Sequence, residues 1–120
     1  MNVRTNVRDI QKLMKKYPNR IPIIINFSKN FCKDNLKLCG ESLEKTYSEG
    51  MKVLAEKDIT VAQFTSYLRS KLKLDKQKAI FLLIKDTMPP ASAMLSIIYN
   101  EFASEDLVLN FYCNTEDTFG

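Results

Sequence analysis

The chain has no histidine and no tryptophan, and only three glycines and three cysteines among its 120 residues. Without histidine there is no Cys–His or Ser–His–Asp nucleophile system, and a four-ligand zinc site would need an unusual carboxylate. The cysteines Cys32, Cys39 and Cys113 follow no zinc spacing. Their odd number, with no signal peptide ahead of them, points to a reducing compartment where thiols stay free. None of the glycines stands in a GxGxxG or GKS/T context, so no phosphate-cradling loop is expected. Long apolar runs are missing too: Ile21 to Ile25 and Ala79 to Ile84 are far too short to cross a bilayer, and no myristoylation or prenylation motif is present. The sequential carboxylate pairs, Glu105-Asp106 and Glu116-Asp117, read as solvated surface charge. These absences leave no set of catalytic residues, no metal ligands and no cofactor site. The expectation is a protein that is not an enzyme.

The size is that of one domain, and an apolar content of 45% is enough for one core. A net charge of +4 is mildly basic. It suits acidic peptides or anionic headgroups and falls short of a nucleic-acid footprint. Basic residues gather early, at Arg4, Arg8, Lys12, Lys15, Lys16 and Arg20, as on a solvated helix face.

Val7, Ile10, Leu13, Met14 and Tyr17 recur at three- and four-residue steps and predict an amphipathic helix, stopped by Pro18. The β-branched run from Ile21 to Phe27 predicts a strand, with Pro22 near its start or on an open side because it lacks a ladder donor. Residues 28–50 read as a long polar connection with a short helix over 41–48, and Met51 to Ala55 as a second strand. Thr60 and Gln63 form a capping-box pair ahead of Val61, Phe64, Tyr67, Leu68 and Leu72 on one helical face. Ile80 to Ile84 reads as a buried strand of the central kind. After Pro89-Pro90, Ser92 is a candidate cap for a helix outlined by Met94, Leu95, Ile98, Tyr99 and Phe102. The run from Leu107 to Cys113 predicts a closing strand, with Leu107, Leu109 and Phe111 on one face and Val108 and Tyr112 on the other. The order helix, strand, strand, helix, strand, helix, strand predicts an α+β β-grasp; on pattern alone a ferredoxin-like sandwich is the alternative. The expected organisation is an N-terminal tail and helix over 1–17, a body over 18–113 and a flexible tail over 114–120.

The tail ends in Phe119-Gly120. A terminal glycine has no side chain to keep its carboxyl out of a narrow channel, where it can be adenylated and passed to a thiol and then an amine. Chance is a competitor for any single glycine, since glycine fills roughly 7% of positions.

Four stretches together resemble the autophagy-related protein 8 family, of the GABARAP and light-chain-3 type. They are Lys15 to Ile25, with Tyr17-Pro18 and Arg20 to Pro22 at its centre; Asp58-Ile-Thr-Val-Ala-Gln-Phe64; Met88-Pro-Pro-Ala-Ser-Ala93; and Phe119-Gly120. The resemblance runs from Asp9 to Gly120 and has no gaps from Asp58 onward. It implies a ubiquitin-like β-grasp with an N-terminal helical extension, the family's first helix being missing. It also implies conjugation of Gly120, next to Phe119, to phosphatidylethanolamine by E1-like and E2-like enzymes, with a cysteine protease for processing and deconjugation. Ending on glycine, the chain resembles an already processed form. A monomer is expected, cytoplasmic and, when lipid-anchored, on autophagosomal membranes.

The resemblance further implies recruitment of receptor peptides of the aromatic-x-x-aliphatic type, added as a strand along Lys52 to Ala55. Asp9, Leu13, Pro22, Ile24, Lys52, Leu54 and Val108 would take the aromatic residue. Val53, Ala55, Ile59, Phe64, Tyr67 and Leu68 would take the aliphatic one, and Lys16, Arg20, Lys52 and Arg69 would meet flanking acids. By periodicity alone, Leu13, Ile24, Phe64 and Leu68 are plain core. Val108 stands where the family commonly has phenylalanine, and Ala55-Glu56 where it commonly has an apolar residue and proline, so both pockets should be reshaped. The competing readings are a modifier joined to a protein lysine, of the autophagy-related protein 12 type, and an unconjugated β-grasp peptide-binding module.

Overall fold

A computed structural model describes residues 7–27, 50–72 and 79–114. The expected helix over 41–48, most of the 28–50 connection, Phe119 and Gly120 lie outside the described residues. Those residues form α1 (Val7–Lys16), β1 (Arg20–Phe27), β2 (Met51–Glu56), α2 (Val61–Leu72), β3 (Phe81–Leu83), α3 (Leu95–Phe102) and β4 (Leu109–Asn114), in the predicted order.

The strands make one sheet in the order β2-β1-β4-β3. β1 runs antiparallel to β2 and parallel to β4, and β4 runs antiparallel to β3. The period-2 alternation of β1 sets the two faces. Ile21, Ile23, Ile25 and Phe27 are buried with Leu109, Phe111, Cys113 and Leu82 against Phe64 and Leu68 of α2 and Leu95 and Ile98 of α3. Phe64 stacks on Phe111 with ring centroids 5.8 Å apart, which fixes α2 over β4. The opposite face presents Pro22, Ile24 and Val108, and there α1 lies down. Ile10 and Val108 are both buried yet outside the main core cluster, so they form a second apolar layer between α1 and the sheet.

The capping box is formed: the Gln63 amide donates to Thr60 Oγ1 at 3.1 Å, and Gln63 Oε1 accepts from the Thr60 amide at 2.8 Å. α3 starts differently from the expectation. Ser92 does not cap it; its N-cap is Met94, which makes no side-chain cap bond. The first amides of α3 instead donate to backbone carbonyls ahead of α2, Leu95 to Ile59 at 2.9 Å and Ser96 to Lys57 at 3.0 Å. In return, the amides of Val61 and Ala62 donate to the carbonyls of Ala93 and Ala91. The two helix starts thus satisfy one another's orphan donors.

Two strand expectations are corrected. Among the described residues β3 is an edge strand, not a central one. Its apolar run arises because Ile80, Leu82 and Ile84 all face the core while Phe81 and Leu83 are half-buried on the other side. Leu107 does not continue β4 onto the core face: it has φ 65° and sits in a turn closed by the bond from its amide to the Ser104 carbonyl. Gly50 enters β2 at φ 77°, with Ile24 Cγ2 and the Ile25 carbonyl oxygen each 2.9 Å from where a Cβ would stand, so only glycine suits it.

Candidate functional site: the open edge of the sheet

Among the described residues β2 is bonded to β1 on one side only, which leaves its other side as an open edge. Pro22 decides which groups point outward. It lies opposite Leu54, and having no N–H it cannot belong to a pair that exchanges two hydrogen bonds. The exchanging pairs are therefore Ile21 with Ala55, Ile23 with Val53 and Ile25 with Met51. The N–H and C=O groups of Lys52 and Leu54 therefore point away from β1, in the direction from which another strand would pair.

A pocket opens on each face of this edge. On the α1 face, a cavity of about 130 Å³ is lined by Ile10 and Leu13 of α1, Pro22, Ile23 and Ile24 of β1, Lys52, Val53 and Leu54 of β2, and Val108. On the α2 face, a cleft of about 320 Å³ is lined by Arg20, Leu54, Ala55, Glu56, Ile59, Phe64 and Tyr67. Tyr67 is exposed at the rim of this cleft; its ring stacks on Phe64 at 6.1 Å and lies under Lys71 Nζ at 5.8 Å.

The structure brings together most residues expected at the groove and separates a few. Leu13, Pro22, Ile24, Lys52, Leu54 and Val108 share the first cavity. Asp9 is exposed on α1 and does not line it; Ile10, unforeseen for the site, takes a place in its wall. Ala55, Ile59, Phe64 and Tyr67 share the second cleft, whereas Val53 lines the first and Leu68 is wholly buried in the core. Of the four cations, Lys52 borders the first pocket and Arg20 the second. Lys16 lines neither and lies over the Tyr17 ring at 5.5 Å. Arg69 lines neither, and its charge acts instead on the Cys113 thiol.

Arg20 has a further engagement. Its Nη1 donates to the Leu54 carbonyl at 3.0 Å, and its Nη2 is 4.0 Å from Glu56 Oε1. Nothing in the local sequence signals this contact, because it joins two strands 34 residues apart.

A mixed sheet in the order β2-β1-β4-β3 packed on one long helix is the ubiquitin-like β-grasp arrangement. The sequence profile described as "Autophagy protein Atg8 ubiquitin like" matches residues 5–120. Autophagy-related protein 8 of Schizosaccharomyces pombe is 37% identical over 110 residues, covering 92% of this chain and 81% of that one. Autophagy-related protein 8c of Arabidopsis thaliana is 36% identical over 109 residues, covering 91% of this chain and 82% of its own. The crystal structure of Trypanosoma brucei ATG8 superposes with a TM-score of 0.71 at 30% identity, covering 95% of this chain and 88% of that one. The chain belongs to the Atg8 family, the ubiquitin-like modifiers of autophagy, whose members are not themselves enzymes. Among the described residues no helix is long and apolar enough to cross a membrane.

Proposed function

We propose that this protein is conjugated through Gly120 to phosphatidylethanolamine and recruits receptors bearing aromatic-x-x-aliphatic motifs from the cytoplasm to autophagosomal membranes. Residues 114–120, of which Asn114 still belongs to β4, serve as the conjugation tail on the body formed by residues 18–113. On the E1-like enzyme the Gly120 carboxylate attacks the α-phosphate of ATP, releasing pyrophosphate and leaving an acyl adenylate, and a cysteine thiol then displaces AMP to give a thioester. The thioester passes to the E2-like enzyme, and the lipid amine then displaces the thiol to form an amide. Gly120 and Phe119 also meet the cysteine protease that processes and deconjugates. The family match, which extends through residue 120, supports this end of the reading.

The observation that carries the peptide-binding half is the position of the two pockets on opposite faces of the β2 edge. In an extended strand, residues three apart point to opposite faces and lie about 10 Å apart at roughly 3.3 Å per residue. A strand paired to the outward groups of Lys52 and Leu54 therefore sends an aromatic residue into the cavity beside Ile10 and Val108, and its third successor into the cleft beside Ile59 and Phe64. Residues two apart would fall on one face and fill only one pocket.

Calorimetric titration tests this. A Trp-x-x-Leu peptide should bind, and Trp-x-Leu, with its anchors on one face, should bind at least about tenfold more weakly through loss of one buried side chain. Leu54→Arg, which lodges a charge between the pockets, should abolish binding while the far-ultraviolet spectrum stays native. Equal affinity for both spacings, or for the folded variant, would end the groove assignment.

A further inference from the structure

We propose that Arg20 is a specificity-determining latch on the β2 edge, which occupies the Leu54 carbonyl in the free protein and penalises any partner strand with no acidic group to draw it away. The proposal rests on the groove reading above and adds to it the mechanism by which charge is selected.

The Leu54 carbonyl faces outward because Pro22, opposite it, cannot join an exchanging pair. An added strand needs that oxygen as an acceptor; a carbonyl can accept twice, but Arg20 Nη1 already donates to it at 3.0 Å and sets a guanidinium beside the oxygen that the strand must approach. The guanidinium is therefore in the path of strand pairing as well as at the lip of the second pocket. Its other tie is loose: Glu56 Oε1 is 4.0 Å from Nη2, and both side chains are largely open to solvent, at 45% and 64%. A contact of that length and exposure does not hold an arginine against a better acceptor. For a neutral partner, Arg20 gives up a charge-assisted bond and receives nothing equivalent. A carboxylate or phosphate beside the aliphatic anchor offers it a fork-shaped pairing in exchange. Discrimination then comes from a penalty on the wrong partner, in addition to attraction for the right one.

Attraction and latching predict different signs for one substitution. If Arg20 only attracted acidic groups, Arg20→Ala would weaken acidic peptides and leave neutral ones unchanged. A latch predicts that Arg20→Ala strengthens binding of a neutral Trp-x-x-Leu peptide by roughly fivefold, the scale of one hydrogen bond no longer broken. The same variant should weaken a peptide with an aspartate beside the leucine. Arg20→Lys, which keeps the charge and loses the planar fork, should recover only part of the affinity for the acidic peptide. Nuclear magnetic resonance of the Arg20 guanidinium gives a readout that needs no peptide: the latch requires hindered rotation in the free protein. Neutral-peptide affinity that is unchanged or reduced in Arg20→Ala overturns the proposal, as does freely rotating Arg20 in the peptide-free protein. If wild type and variant bind neither peptide, the groove reading fails and takes the selective role with it, while a hindered guanidinium would still establish the contact with Leu54.

Discussion

Cys113 offers a quantitative test of how tightly the sheet is closed against α2. The residue is fully buried in the core face of β4, opposite Phe27 and Leu82. Burial pushes its thiol up from the ordinary value of 9.0 to about 12, and the nearby Arg69 charge only partly opposes that rise. The native state thus favours the neutral thiol, whereas the unfolded chain ionises near the ordinary value. The stabilisation is complete below pH 9.0 and is lost as pH rises toward about 12. Each unit of separation is worth about 1.4 kcal/mol, so the whole window amounts to about 4 kcal/mol. Urea unfolding between about pH 8 and pH 11 can follow it, comparing Cys113 with Cys113→Val in a Cys32→Ser, Cys39→Ser background. The cysteine form should lose about 3 kcal/mol more than the valine form by pH 11, two units above the ordinary thiol value. At pH 8 the folded thiol should resist a disulfide reagent until unfolding exposes it. Parallel pH profiles for the two proteins, or modification of native Cys113 at the rate of a free thiol, would refute this reasoning.

Other perturbations test separate joints of the structure. Gln63→Ala removes the acceptor 2.8 Å from the Thr60 amide and should lower stability by about 1 kcal/mol in urea unfolding. Gly50→Ala forces a Cβ into the left-handed region against Ile24 and should destabilise by at least about 1–2 kcal/mol; a neutral result would show that the entry to β2 relaxes freely. Tyr99→Phe deletes the hydroxyl that donates to the Leu107 carbonyl at 2.7 Å and should destabilise by about 1 kcal/mol, with amide exchange accelerating first in the turn before β4.

Most of the element order was legible because each element carries its own period. The odd residues of β1 and most of the three- and four-residue steps of α1 and α2 follow the faces that are buried, though Tyr17 and Tyr67 in those steps are exposed, and the Thr60–Gln63 pair is a local signal that the structure honours. The failures share one cause, which is dependence on distant backbone. A run such as Ile80 to Ile84 reads alike in the middle of a sheet and at an edge whose outer face is half covered. Ser92 looked like a cap, but the amides of α3 are met by carbonyls of residues 57 and 59, from a loop more than thirty residues earlier. Leu107 fits the alternation of β4, and its positive φ becomes visible only once the turn closes on Ser104. At the site, residue types gave the apolar lining, whereas Ile10 in the wall and Arg20 on the Leu54 carbonyl depend on how α1 docks and how β1 meets β2.

The central claim, that Gly120 carries this fold to a membrane lipid, is tested most directly by reconstitution. The protein is incubated with its E1-like and E2-like enzymes, ATP and phosphatidylethanolamine liposomes, and the products are separated by flotation and mass spectrometry. The account predicts a liposome-bound adduct joined by an amide to the lipid and absent when Gly120 is deleted. An adduct on a protein lysine in place of the lipid, or no adduct with active enzymes, would contradict it.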